Sequence, residues 1–383
     1  MSRRIDSLML LSNACTSDPR VIKEAETLAA AGYRVRVLAW DRSRKNPAFE
    51  EGAFEIERMA ARSSFGSGLR QLRGFIGFWL WLVRRGLALR PKVLHAHDLD
   101  TFPAALVLAV LLRVPLVFDN HELYAEMQVG RMPKLAIRVI SMLERFAMRM
   151  ASVAIVVSHI ARDYFSRVRR DTVIVGNWYS PVARDAEAAR VVRAELGIPE
   201  EAFVVGYIGG LPHARNFGPL IEAAAADERL YALVAGSGDQ AEDLRQRAAT
   251  HGRLKFIGFT EQPDRYFNAV DALYYLYRDD EHYGKYSASN ALGRAMSRGI
   301  PLLTNDWGEN GRVMRRIDPE LLLREGTAGE VRRVTALLRN PETAAAVRGS
   351  VEALARAECS WEAAGDALRD VYARLVKTET RSR

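Results

Sequence analysis

Short apolar runs alternate with longer stretches in which apolar residues recur every third or fourth position, and this alternation fills most of the chain. Residues 5–12 read as a first buried strand and 33–40 as a second, with a helix at about 21–31 that Gly32 ends. Residues 54–59 give a third strand. Two short apolar runs follow at 92–95 and 115–119, joined by an apolar crossover at 101–113, with further strands at 152–157 and 173–176. Strand and helix in turn over this length predict a doubly wound parallel sheet. Residues 177–193, with Pro181 and a charged, alanine-rich run, read as an irregular link. The rhythm restarts with strands at 203–208, 231–235, 254–257, 272–276 and 302–304, and helices at 218–226 and from Gln240. After about Ile317 the chain reads as helical and closes with 361–376. The expected fold class is α/β, with two Rossmann-like domains facing a cleft at 1–180 and 195–360, then a helix and tail at 361–383.

Composition narrows the class without choosing a function. The chain has 383 residues, of which 49% are hydrophobic and 27% charged, as in soluble globular proteins. A net charge of +8 suits phosphate-bearing partners, whether nucleotide or anionic membrane. Nucleic acid is not expected, because a basic patch interleaved with aromatics is found only at 75–90, where the apolar density is too high. Cys15 and Cys359 lie far apart without metal-ligand spacing, which predicts a reducing, cytoplasmic setting and no structural metal. The opening MSRRIDSLMLLSN reads as a strand rather than a signal peptide, and no run is long enough to cross a membrane.

Two basic stretches change that picture locally. FIGFWLWLV at 75–83 is flanked by Arg70, Arg73, Arg84, Arg85 and Arg90, a pattern that fits either a helix in the headgroup layer or one packed on the sheet. In 131–149 and just beyond, Leu135, Val139, Met142, Phe146 and Met150 recur at helical spacing among arginines. That stripe is expected to face the core, with the arginines toward lipid phosphates. Both 75–90 and 131–149 are thus candidate contacts with the inner face of a membrane.

Candidate chemistry gathers at strand ends. His95, His97, Asp98 and Asp100 follow the run at 92–95, and Asp119, Asn120, His121 and Glu122 follow the run at 115–119. In open parallel sheets, ligands bind beyond the carboxyl ends of strands, so this is a candidate active-site edge. Asp98 and Asp119 also suit helix caps. In the second half, VVGYIGGLPHAR places Gly209 and Gly210 at a strand end with Arg215 close behind, a pattern that lets backbone N–H groups approach a phosphate. AGSGD, with Gly236, and the Gly258-Phe259-Thr260 loop repeat this logic, although tight turns use the same residues. Ser289 or Asn290 would cap the helix in SASNALGRAMSRGIP.

DPRVIKEAETLAAAGYRVRVLAWD, KVLHAHDLDT, PLVFDNHELYAE, YIGGL, AGSGD and SWEAAGDALRDVY together resemble the GT-B-fold glycosyltransferases, in particular retaining family 4, over about residues 5–376. The resemblance implies transfer of a sugar, with retention, from a nucleotide-sugar donor to a hydroxyl acceptor. It implies a lipid-linked or polysaccharide acceptor of the cell envelope, a C-terminal helix crossing back to the N-terminal domain, and no metal. It places Gly209, Gly210, Arg215, Gly236, Phe259, Asn290 and Arg294 at the donor. His121, Asp98 and Glu122 would be the catalytic residues, with His97, Asp18 and Arg20 on the acceptor side. One departure stands out, because the two glutamates usual in the family fall at Tyr286 and Arg294. Asp279, Asp280 or Glu281 would replace the carboxylate, or Arg294 would face an acidic donor sugar. The alternative function is a catalytically degenerate GT-B protein acting as scaffold or regulatory subunit.

Overall fold

The computed structural model describes residues 4–16, 18–61, 69–278 and 282–379. The chain divides into two compact units, Met1–Gly176 with Ala364–Arg383, and Asn177–Ala363.

In the first unit, β1 (Ser7–Leu11), β2 (Val35–Asp41), β3 (Phe49–Glu51), β4 (Glu55–Ala60), β5 (Val93–His97), β6 (Leu116–Asn120), β7 (Val153–Val156) and β8 (Val173–Ile174) form one sheet in the order 3-4-2-1-5-6-7-8. All its pairings are parallel except β3 with β4. Every residue of β1, β5 and β6 is buried, as expected of a parallel sheet covered on both faces. The helices are α1 (Pro19–Ala30), α2 (Leu69–Leu89), α3 (Asp98–Leu112), α4 (Tyr124–Met127), α5 (Lys134–Met150) and α6 (His159–Phe165). The strand order reverses between β1 and β5, which puts the crevice for a ligand beyond the ends of these strands.

The second unit repeats the plan with β9 (Phe203–Ile208), β10 (Leu230–Ala235), β11 (Leu254–Gly258), β12 (Ala272–Tyr275), β13 (Leu302–Asn305) and β14 (Leu322–Leu323), all parallel, in the order 11-10-9-12-13-14. Its helices are α7 (Ala186–Glu195), α8 (Gly218–Ala226), α9 (Ala241–Thr250), α10 (Pro263–Ala269), α11 (Asn290–Ser297), α12 (Gly308–Ile317), α13 (Ala328–Leu338) and α14 (Pro341–Ala357). Here the order reverses between β9 and β12. The last helix, α15 (Trp361–Glu379), returns to the first unit, as the family resemblance implies. Its Tyr372 is fully buried, with the hydroxyl 2.7 Å from Ser7 Oγ on β1 and 3.0 Å from His95 Nδ1 on β5.

The fold corrects several expectations. Strand β5 runs through His97 and α3 begins at Asp98, so His95 and His97 lie inside the strand rather than beyond it. Two residues apart, they share one face, fully buried, with rings stacked at 4.3 Å. Neither Asp98 nor Asp119 caps a helix. Asp98 takes a left-handed φ of 61° and turns its carboxylate to the end of β6, while Asp119 is inside β6. The link is not irregular throughout, since Asp185 accepts from the Ala188 N–H at 2.9 Å and starts α7 there. The short elements β3 and α10 have too little periodicity to be read from the sequence.

The apolar stripe of α5 faces outward, contrary to expectation. Leu135, Val139, Met142, Phe146 and Met150 are between 42% and 73% exposed, whereas Glu144, Ala147 and Met148 are buried. The turn of the helix is set by Glu144, whose carboxylate accepts from the Tyr124 and Ala125 N–H groups at 2.6 and 3.3 Å. Helix α2 packs inward along one face and is exposed along another. Phe78 and Leu82 are fully buried and Trp79 Nε1 donates to the Asp100 carbonyl at 2.6 Å, while Ile76 and Leu80 are exposed.

Candidate functional site

In the first unit a buried charge network ties the ends of β5 and β6 together. The His121 N–H donates to Asp98 Oδ1 at 3.0 Å, and the ring Nδ1 lies 3.3 Å from Asp98 Oδ2. His121 Nε2 is 3.0 Å from Asp119 Oδ2 and 3.1 Å from His97 Nδ1. Burial alone would drive the proton off His121, but the carboxylates of Asp98 and Asp119 outweigh it and hold the pKa at about 10. The ring is therefore a fixed imidazolium at neutral pH and not a proton acceptor.

Asp119 is gripped from its other side by Arg20, which donates from Nε at 3.0 Å and from Nη2 at 2.7 Å. Arg20 also donates to the Val175 carbonyl at 2.6 Å and lies 3.1 Å from Glu24. Burial disfavours the Asp119 carboxylate, yet Arg20 and His121 hold its pKa well below the usual range. Glu24 is the reverse case: burial and the neighbouring Asp119 raise its pKa by more than Arg20 lowers it. Burial depresses His95 and His97, which are neutral. Glu24, His95, His97 and Asp119 each offer a ligating atom within 4.8 Å of the others. A metal ion added there would meet the fixed charges of Arg20 and His121.

Beside this network is a cavity of about 480 Å³ lined by residues that include Ser12, Asn13, Arg42, Asp98, Asp100, Asn120 and Glu122. Two of the three residues expected to be catalytic, Asp98 and Glu122, line it. Of the three assigned to the acceptor side, Arg20 and His97 are buried in the network, and Asp18 accepts from the Val21 N–H at the start of α1. Ser12, Asn13 and Arg42 stand outside the residues expected there, although they follow β1 and β2 as His121 follows β6. The strand-end rule applied to every strand would have found them.

In the second unit, a cavity of about 250 Å³ gathers Gly209, Gly210, Gly236, Phe259 and Arg294 beyond β9, β10 and β11. Backbone bonds stitch these loops together: Gly209 N–H to the Ala235 carbonyl at 2.9 Å, Gly236 N–H to the Gly258 carbonyl at 2.7 Å, and Leu211 N–H to the Ser237 carbonyl at 2.9 Å. Gly236 has a φ of 154°, and a Cβ there would lie 1.8 Å from the Gly209 carbonyl oxygen. Only glycine allows this approach. Arg294 is held by Asp264 at 2.9 Å, a carboxylate shared with Arg298 at 2.6 Å.

Arg215 and Asn290, the other two residues assigned to the donor, do not line this cavity. Arg215 is buried between the rings of Tyr275 and Tyr277, 3.6 Å from each centroid. Its Nε lies 3.3 Å from the hydroxyl of Tyr207, which donates to the Gly210 carbonyl. Arg215 Nη1 is buried without a hydrogen-bond partner, and among the described residues no carboxylate pairs with the guanidinium. Asn290 is exposed at the first position of α11, and Ser289 is the cap, accepting from the Leu292 N–H at 3.3 Å. The ring of Tyr286 lies 5.2 Å from that of His282, while Asp279, Asp280 and Glu281 lie outside the described residues.

Comparison with known proteins agrees with this layout. The family described as Glycosyl transferase 4-like domain matches residues 19–178, and Glycosyl transferases group 1 matches residues 202–340. The chain is a GT-B glycosyltransferase of the group 1, family 4 type. Sucrose-phosphate synthase from Thermosynechococcus elongatus superposes with a TM-score of 0.75 at 18% identity, covering 97% of this glycosyltransferase and all (100%) of that chain. Anabaena Alr3699/HepE in complex with UDP gives 0.75 at 17% identity, with coverage of 97% and 100%. Among curated relatives, the lipopolysaccharide core biosynthesis glycosyltransferase LpsD of Rhizobium meliloti is 31% identical over 121 residues. That match spans 30% of the glycosyltransferase described here and 34% of LpsD.

Replacing Arg20 by methionine leaves the Asp119 charge buried beside His121 alone. Urea denaturation of Arg20→Met is expected to show a loss of about 3–5 kcal/mol. His121 gives a pH signature whose sign follows from its raised pKa. The stability it adds is complete below its ordinary pKa of 6.5 and is lost as pH rises through about 10. The difference in unfolding midpoint between wild type and His121→Gln should therefore shrink across that interval, and a constant difference would refute the imidazolium assignment.

Proposed function

We propose that this chain transfers a sugar from a nucleoside-diphosphate donor to a hydroxyl of a lipid-linked cell-envelope saccharide, with retention at the anomeric carbon and without a metal ion. The observation that carries this reading is the glycine-lined cavity beyond β9 and β10, at the reversal of strand order in the second unit. Gly236 packs against the Gly209 carbonyl as closely as glycine permits, and Gly210 has open space where a side chain would stand, a geometry suited to a diphosphate. Because the Gly209 N–H already serves the Ala235 carbonyl, Gly210 is the candidate amide donor to phosphate. Arg215 does not line that cavity; held between two tyrosines behind the loop, with no carboxylate among the described residues to neutralise it, it acts on a diphosphate there through its charge and not by contact. Positive charge fixed in a dry site stabilises a departing diphosphate without reorganising as charge develops. The UDP held by HepE makes uridine nucleotides the first donors to try.

In the first unit the His121 imidazolium orients the transferred sugar, and Asp98 or Glu122 positions the acceptor hydroxyl. The resemblance to LpsD supports an envelope acceptor. The exposed stripe of α5 supports a lipid carrier: Leu135, Met142 and Phe146 are exposed, as are Val110 and Leu111 of α3, with Arg138, Arg145 and Arg149 on α5. An apolar face among arginines matches an anionic bilayer surface from the cytoplasmic side. The rival reading, an inert scaffold, draws on Tyr286 and Arg294 standing where family carboxylates are usual, and on the capture of Arg294 by Asp264. Turnover separates the two readings.

Incubation with a panel of nucleotide sugars, read by mass spectrometry, should show slow donor hydrolysis by the wild type. Both hydrolysis and transfer should fall about a hundredfold in Arg215→Ala and in Gly236→Ala. Wild-type turnover in Arg215→Ala would remove the phosphate role, and an inert wild type would favour the scaffold. In cosedimentation, vesicles containing phosphatidylglycerol should retain the protein and release it at high salt. Leu135→Glu with Met142→Glu should reduce the bound fraction about tenfold. Equal retention by neutral vesicles would contradict the membrane assignment.

A further inference from the structure

We propose that a second cavity of the second unit, between residues 181–184, the end of α11 and one face of α14, binds a phosphate or phosphomonoester anion through Arg184 and Arg348. It has no lining residue in common with the glycine-lined donor cavity. Helix α11 serves both, with Arg294 on the donor cavity and Arg298, four residues later, on this one. The site therefore does not depend on the donor reading. Its volume of about 360 Å³ is at the small end of ligand pockets, enough for a phosphate with a small group attached.

Cations outnumber acids on its walls. Arg184, Arg298, Arg348 and Arg356 line it against one acid, Glu352. Arg298 is held by Asp264 at 2.6 Å from outside the cavity, and Arg356 lies 3.8 Å from Glu352. Arg184 and Arg348 remain, and among the described residues neither forms an ion pair. Arg184 is anchored, because its Nη2 donates to the Asn268 and Val270 carbonyls at 3.1 and 2.5 Å. That leaves Nε and Nη1 of a held guanidinium for a ligand. Arg348 is exposed on α14, on the same helix face as Glu352.

The neighbouring acids are engaged elsewhere. Arg184 and Arg348 also line an adjoining cavity, together with Arg190, Arg193, Asp185, Glu200 and Asp271. Asp271 accepts from Arg193 and from the Val204 N–H, both at 2.7 Å, and Asp185 accepts from the Ala188 N–H at 2.9 Å. Glu200 acts on Arg190. Burial lowers the pKa of Arg184; Asp271 raises it, and Arg348 and Arg193 lower it again. Arginine stays charged through such shifts, so Arg184 and Arg348 repel each other across the cavity, and an anion between them relieves that repulsion. A tetrahedral phosphate has oxygens for both guanidinium forks, whereas one carboxylate fills a single fork.

The test is isothermal titration calorimetry on the full chain with inorganic phosphate and with glucose 6-phosphate at constant ionic strength. Each titration is repeated with UDP in excess, whose own binding reports the donor reading separately. The wild type should bind phosphate saturably at a site from which UDP does not displace it. Tighter binding of glucose 6-phosphate would mark a phosphomonoester as the ligand, and equal or weaker binding would mark free phosphate. Arg348→Ala and Arg184→Ala should each weaken phosphate binding at least about tenfold. If Arg184→Ala melts early through loss of its carbonyl contacts, Arg184→Lys, which keeps the charge without the fork, takes its place. Arg190→Ala, at an exposed arginine paired with Glu187, should leave the affinity unchanged. Displacement by UDP, wild-type affinity in Arg348→Ala, an equal loss in Arg190→Ala, or no saturable phosphate binding would overturn the assignment.

Discussion

The first unit depends on Asp119. Its carboxylate is fully buried, and a buried charge persists only when it is paired and hydrogen-bonded. Arg20 supplies two of those bonds from α1, and His121 supplies another from beyond β6. Once Asp119 is ionised, the protonation of its neighbours follows: His121 is charged, while His95 and His97 are neutral. The same contacts fix the ends of β5 and β6, because Asp98 answers both the ring and the N–H of His121. Geometry and charge are therefore one constraint here.

The second unit rests on a contact between backbones. Gly236 comes so close to the Gly209 carbonyl that no side chain fits between them. This approach holds two strand-end loops in register around one cavity. Tyr207 and Arg215 brace the same loop from behind, through the Gly210 carbonyl. A guanidinium clamped between two rings keeps its charge in place without a carboxylate that would cancel it.

Helix α5 shows how one buried acid sets the outer surface. Glu144 caps the start of α4 from inside, which commits its own face of α5 to the interior. The apolar stripe on the far side is then left facing solvent. Periodicity identifies such a stripe but cannot say which way it points, since two opposed faces of a helix can both be apolar enough to bury.

The order of strands and helices was legible in the residues alone, because strand and helix periods differ and buried parallel strands are short continuous apolar runs. The glycine loops and the histidine–carboxylate edge were legible for the same reason, being polar or flexible residues at the ends of those runs. The sequence therefore determined the fold class, the two units and the neighbourhood of each candidate site. What only the tertiary structure decided was direction and pairing. It placed His95 and His97 inside β5, set Asp98 on His121 instead of a helix end, and buried Arg215 between tyrosines. These outcomes depend on partners far away along the chain, as with Arg20 and Asp119 or Tyr372 and His95, and no local pattern records such contacts.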